Sequence, residues 1–265
     1  MDKTIELVNS VKDIQAMPTV IVKALNIMKK PTASMKELGD IVMFDQSLTI
    51  KFLALVNSAY YGFSQQISSI NIALSLLGMV KVKNIIVAVA MKPMMSNQGD
   101  KELWKHSMRV ASGCEYLANL TKIMDADEAF ISGFVHDVGK IVLHMTDSKT
   151  YQKVISQVDA GGDILNLERK YFDSDHVKTG SLLAKRWQLP ILLANTISYH
   201  HTPSLSSIPV PCNLVCFVDK LVQTIFNPDA VDKDFVNTLG IDFEDLEDLR
   251  KAILQKAEVM IAELS

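Results

Sequence analysis

Apolar residues recur at three- and four-residue spacings along most of this 265-residue chain, and the alternation of half-buried strands is scarce. Ser34 and Glu37 form a capping box ahead of Leu38, Ile41 and Val42, so a helix is expected to start there. Asp45 stands where it can cap the next helix, which carries Leu48, Phe52, Leu55 and Val56 at helical spacing. Ser69 opens a short helix that Gly78 stops, because glycine takes positive φ without steric penalty. The run Ile85 to Ala90 is β-branched, but its continuation into Met91 and its helical surroundings predict a buried helix, closed by Pro93. Residues 96–100, Ser-Asn-Gln-Gly-Asp, read as a linker. Helices are predicted over 102–123, 127–143, 163–172, 177–187, 191–199 and 213–226, with a last one from 245 onward. Pro190, Pro203, Pro209 and Pro211 mark breaks. The expected architecture is an all-α multi-helix bundle: an N-terminal helical layer over 1–97 and a larger helical unit over 98–265, together forming one continuous domain.

Composition narrows the function classes. With 48% apolar residues the chain can bury a real core, and a formal charge of −3 leaves no electrostatic footprint for nucleic acid or an anionic membrane. Lys29-Lys30 and the Lys81, Lys83 pair read as solvated helix ends. Cys212 and Cys216, four apart, lack the Cys-x-x-Cys spacing of a redox or zinc pair and are expected in the core. The first residues show no apolar signal core, and the longest apolar run, 85–91, is too short to cross a bilayer. A reducing cytoplasm is the expectation, with no nucleic-acid and no membrane partner.

All six histidines fall between positions 106 and 201. In the segment 130–142, Phe130, Ile131, Phe134, Val138, Ile141 and Val142 form an apolar helical stripe, and Asp137 lies within it. A bare carboxylate there would cost several kcal/mol unless a cation or strong donors meet it. His136 lies about 100° round the helix, and Gly133 leaves room for another helix or a ligand. Asp219 sits in a similarly apolar run; it either caps or pairs with a neighbour or, as a second stranded carboxylate, shares the cation that Asp137 needs. His106 lies on the inward stripe with Val110 and Leu117. His176 precedes Gly180, where a close helix crossing is expected. His200-His201 ends a helix, and two adjacent imidazoles about 100° apart imply that one of them faces a given metal. His144 is read as a bystander. Mixed imidazole and carboxylate ligands suit one or two divalent ions of manganese, iron, cobalt, nickel or zinc without choosing among them.

The order His106, His136-Asp137, Asp219 resembles the ligand signature of the HD superfamily of metal-dependent phosphohydrolases. Gly133-Phe-Val-His-Asp-Val-Gly-Lys140 is similar to its central motif. Met17-Pro18, the block from Asp45 to Asn57-Ser-Ala-Tyr-Tyr-Gly62, and Ile67-Ser-Ser-Ile70 with Leu77-Gly78 resemble the HDOD family over nearly the whole chain. That resemblance implies an all-α fold and a place in bacterial signal transduction. Many members look like regulatory modules without their metal ligands, whereas here the matching positions are filled. His176 and His200-His201 also resemble the additional ligands of two-metal HD-GYP phosphodiesterases, but Thr202-Pro-Ser-Leu205 replaces the Gly-Tyr-Pro motif.

Two readings follow. In an enzyme, bound metal would lower the pKa of a water and screen the charge of a phosphoester or nucleotide ligand. Asp137 would bridge two ions, and Lys140 would steady a phosphate as a point charge or be an exposed helix-end lysine. In a binding module, a structural metal would support a surface for a signalling protein, with Asn57 to Phe63 as the contact loop or as core packing around a turn.

Overall fold

The computed structural model describes residues 2–11, 21, 23, 34–44, 46–95 and 102–264. Every regular element among them is a helix, in accord with the expected all-α class. Met17-Pro18, Lys29-Lys30, Asp45 and the 96–100 linker lie outside the described residues.

The N-terminal layer consists of α1 (Lys3–Ser10), α2 (Met35–Phe44), α3 (Gln46–Val56), α4 (Ile70–Leu77) and α5 (Met79–Met95). The capping box forms as the sequence implies: the Glu37 N–H donates to Ser34 Oγ (3.2 Å), and the Ser34 N–H donates to the Glu37 carboxylate (3.0 Å). Ser69 holds the N-cap position of α4, but its side chain makes no capping bond. Gly78, at φ +79°, turns the chain by 119° between α4 and α5. The β-branched run is helical and buried within α5. Pro93 does not close α5. It stands in the last turn, where its missing N–H costs one bond at most, and the helix runs on to Met95. No single helix among the described residues is long and apolar enough to cross a membrane.

The larger unit follows as α6 (Glu102–Thr121), α7 (Ala126–Val135), α8 (Gly139–Thr146), α9 (Ser148–Asp159), α10 (Ile164–Phe172), α11 (His176–Arg186), α12 (Ile191–Tyr199), α13 (Pro209–Leu221), α14 (Lys233–Thr238) and α15 (Leu246–Leu264). Helix α6 ends two residues before the apolar pattern does, since Lys122 takes φ +57°. The single helix expected over 127–143 is two helices, separated by a turn at His136, Asp137 and Val138. Helix α13 starts at Pro209 rather than at 213, because prolines in a first turn give up N–H groups that have no helical partner anyway.

One apolar cluster spans both sides of the linker, from Leu7 and Phe52 through Ile86 to Trp104, Phe134 and Ile141. A second fills the space between α6, α13 and α15 around Leu117, Val218 and Ile253. Helices α6 and α7 cross closely at Gly133, where a Cβ would lie 2.9 Å from the Val110 carbonyl oxygen.

A buried polar hub joins the two layers. Glu115 on α6 is 3% exposed, accepts a hydrogen bond from the Tyr60 hydroxyl, and pairs with Lys81 at 2.8 Å. Lys81 is therefore not a solvated helix end. Neither is Lys83, which is 3% exposed. Burial lowers its ammonium to about 8, against the opposing pull of Asp127, Glu128 and Asp125. In the Asn57–Phe63 block the aromatic rings lean on the core while Asn57, Ala59 and Gly62 stay exposed. The Asn57 side chain accepts from the Ile67 N–H (2.7 Å), and Tyr60, Tyr61 and Phe63 pack on the core. Cys212 is buried as expected and Cys216 partly so.

Candidate metal centre

Four helices bring the predicted side chains together. His106 comes from the first turns of α6, His136 and Asp137 from the break between α7 and α8, and Asp219 from the last turn of α13. The break does the positioning. On a continuous helix His136 and Asp137 would diverge, whereas in this turn His136 Nε2 and Asp137 Oδ2 lie 3.1 Å apart. His106 Nε2 approaches Asp219 Oδ1 at 3.0 Å and Asp137 Oδ2 at 3.5 Å.

A second cluster adjoins the first. His176 Nε2 lies 3.0 Å from His201 Nε2, 3.4 Å from His200 Nε2 and 3.4 Å from Asp137 Oδ1. Both imidazoles of the His200-His201 pair converge, against the expectation that one would turn away. His200 is the C-cap of α12 and His201 lies in the turn beyond, so the 100° helical offset does not govern them. Helices α8 and α11 come together through Gly139 and Gly180, which lets the second cluster reach Asp137. A Cβ on Gly139 would overlap the His176 carbonyl oxygen and lie 2.6 Å from the Gly180 nitrogen. His144 lies outside both clusters, edge-on to Tyr151.

The hydrogen bonds fix which ring atoms remain for a ligand. The His136 Nδ1–H donates to the Gly133 carbonyl (2.7 Å), and the His200 Nδ1–H donates to the carbonyls of Thr196 and Ile197 (3.1 Å each). The His176 Nδ1–H donates to Glu168 Oε2 at 2.7 Å. Each of these bonds leaves Nε2 with its lone pair directed into the cluster. Among the described residues, His106 Nε2, His136 Nε2 and Asp137 Oδ1 have no aligned hydrogen-bond partner although all three atoms are buried. Buried polar atoms without partners are rare and costly. Two ligands each ~2.1 Å from one ion, at angles of ~90–109°, lie roughly 3.0–3.4 Å apart. Most of the contacts above have that spacing. The donor set therefore fits a divalent metal: His106, His136, Asp137 and Asp219 on one side, His176, His200 and His201 on the other, and one oxygen of Asp137 toward each.

The electrostatics favour positive charge. Burial by itself would raise Asp137, but the charges of His136 and Lys140 outweigh it and hold the carboxyl well below the usual range. Asp219 is lowered in the same way, its burial outweighed by His106 and His136. Burial disfavours an imidazolium at His136, yet the field of Asp137 and Asp219 raises its pKa. His200 and His201 behave oppositely, because burial and their imidazole neighbours keep them neutral, His201 at about 4. Neutral imidazoles are the form that binds metal. Lys140 Nζ lies 2.6 Å from Asp137 Oδ2, so this lysine is a partner of Asp137 and not an exposed helix-end residue.

Glu168 escaped the sequence reading. It is fully buried on α10 and accepts from both the ring and the backbone N–H of His176, with the Tyr151 hydroxyl 3.3 Å from its other oxygen. A signal existed: Ile164, Glu168 and Phe172 are four apart, so this carboxylate interrupts an apolar stripe just as Asp137 does.

The HDOD domain profile matches residues 14–203. The chain belongs to the HDOD family. Its fold is shared with an HDOD domain protein of unknown function from Geobacter sulfurreducens, at TM-score 0.83 and 22% identity, covering 98% of this chain and 97% of that one. A Shewanella amazonensis protein named "Putative phosphohydrolase" superposes at TM-score 0.76 with 20% identity, over 99% and 98% of the two chains. Identities at this level speak for the fold alone. An uncharacterized protein of Treponema pallidum is 25% identical over 201 residues, covering 74% of this chain and 39% of its own length. This HDOD chain thus spans about two-fifths of the length of the curated relatives it matches.

Proposed function

We propose that this HDOD protein is a bacterial signal-transduction protein that binds two divalent transition-metal ions and hydrolyses a phosphoester. The observation that carries the reading is the convergence of imidazole Nε2 and carboxylate oxygen atoms on a common space, with Asp137 offering one oxygen to each half and with His106 Nε2, His136 Nε2 and Asp137 Oδ1 buried without an aligned partner. When bound, the ions would lower the pKa of a water and screen phosphate charge. The protein's own part is to orient. Gly133 and the Thr196 and Ile197 carbonyls fix ring tautomers, and Lys140 holds Asp137 in place while adding a positive charge beside an incoming phosphate. His106 (24% exposed) and Asp219 (13%) form the side open to solvent, which is where a substrate would enter.

Metal analysis of protein purified without chelator should find more than about one transition-metal ion per chain. The double substitution His136→Ala, Asp137→Ala should remove metal from the first site and abolish turnover. Phosphomonoesters, cyclic nucleotides and cyclic dinucleotides form the substrate panel, with manganese, iron or nickel supplied. A double variant that keeps its full metal would sink the ligand assignment. Metal bound with no turnover on any substrate would instead favour a binding module with a structural metal.

A further inference from the structure

Glu168 is placed to do more than close a helix end. Helix α11 already has a cap, since the Asp175 side chain accepts from the Lys178 N–H at 2.9 Å. Glu168 nevertheless reaches the start of the same helix from α10. One of its oxygens accepts from both the backbone N–H of His176 (2.8 Å) and the ring Nδ1–H of that residue (2.7 Å). A carboxylate needed only for the helix terminus would have no use for the ring. Holding main chain and imidazole through one atom restricts the side-chain torsions and keeps the proton on Nδ1. The lone pair of Nε2 then faces His200 and His201 at 3.4 and 3.0 Å. The Nε2 lone pairs of His176 and His200, both fixed by their Nδ1–H bonds, repel unless a cation or a proton from His201 stands between the rings.

The surroundings of Glu168 point the same way. It is 0% exposed, and its partners among the described residues are the two N–H groups of His176 and the Tyr151 hydroxyl. No lysine or arginine among the described residues pairs with it. A buried carboxylate in this position is stabilised by positive charge: its field reaches Lys140 on α8, and the imidazole it holds links it to the second cluster. A carboxylate behind a ligating histidine also makes that histidine a stronger donor.

We infer that Glu168 is a positioning residue for the second ion: it sets the tautomer and aim of His176, and Tyr151 steadies Glu168 from behind. This rests on the two-ion reading above. Asp137 and the first cluster do not touch Glu168, so its effect should be confined to one site.

The test is a calorimetric titration of manganese alone into the full chain stripped of metal, alongside thermal melts without metal. The wild type should show two binding steps, and His176→Ala should identify the one belonging to the second cluster. Glu168→Gln should weaken that step by roughly 10–100-fold and leave the other within about threefold. Tyr151→Phe should weaken the same step by less. In the metal-free Glu168→Gln protein, nitrogen chemical shifts of His176 should show a larger share of the Nε2–H tautomer. If Glu168→Gln fails to fold, Glu168→Asp keeps the charge and should still weaken the same step selectively. Two unchanged steps, or two steps falling together with the metal-free melting temperature, would overturn the inference while leaving two-metal binding intact. A wild type with a single step would overturn both.

Discussion

Replacing Gly139 by alanine tests whether the meeting of the two imidazole clusters depends on backbone proximity. The added methyl would overlap the His176 carbonyl oxygen and sit 2.6 Å from the Gly180 nitrogen and 2.8 Å from the His176 carbonyl carbon. All three are main-chain atoms of α11, so none can swing aside as a side-chain tip would. Ordinary carbon contacts lie at ~3.5–4.0 Å, so α8 and α11 must part by about 1.5 Å. Forced overpacking of this kind costs about 1–3 kcal/mol or more. The hydrogen bond from the Thr179 hydroxyl to the Gly139 carbonyl (3.1 Å) would be stretched as well. Against this, alanine gains at most ~1 kcal/mol of helix propensity, and less in a first turn. The clash wins. We expect a net loss of about 2–3 kcal/mol, read in thermal melts as a fall of about 4–6 °C. The same displacement moves His176 away from Asp137, now 3.4 Å distant. Any phosphoesterase activity should then fall by on the order of 100-fold. A metal-free melting temperature within ~2 °C of wild type would refute the backbone argument.

The buried groups of the N-terminal layer give two further expectations. Lys83 titrates at about 8 in the folded protein against an ordinary 10.5. Between those values the unfolded chain holds a proton that the folded chain has released. Stability therefore rises from pH 8 to 10.5, and below pH 8 the penalty, at most about 3 kcal/mol, is felt in full. Lys83→Met should thus stabilise the protein at pH 7, and its benefit should shrink towards zero near pH 10.5. Urea melts that show the same gain at pH 7 and pH 10.5 would contradict this. Tyr60→Phe leaves the buried Glu115 carboxylate with Lys81 but without its phenol donor. The cost should be about 2 kcal/mol, and combining it with Glu115→Gln should recover part of the loss in a double-mutant cycle.

Local rules were legible along the chain wherever their partners lie within one helical turn. The Ser34–Glu37 capping box and the glycine stop at Gly78 are of this kind. Carboxylates stranded among apolar residues were legible too, because Asp137 and Asp219 pose the same desolvation problem in any all-helical arrangement. The break at residues 136–138 was not. The apolar stripe runs through it without interruption, since both halves face one core. The convergence of His200 and His201 was hidden for a related reason: the helical offset assumed for them stops at Tyr199. Helix α9 carries Tyr151 and Val154 inward with Asp147 as its cap, but this short amphipathic pattern is too brief to stand out in the sequence. Lys81 and Lys83 were misjudged because their partners, Glu115 and the Asp127 region, are more than thirty residues away in sequence.

The hub at Glu115 also limits how the chain can be trimmed. Both of its donors, Tyr60 and Lys81, come from the first 95 residues, while the acid itself stands nine positions after His106 on the same helix. Removing the leading layer would strand an acid in a greasy wall and uncover the apolar side of Trp104. A shortened histidine-bearing fragment should therefore clump or stay unfolded, and its failure to capture metal would say nothing about the ligands.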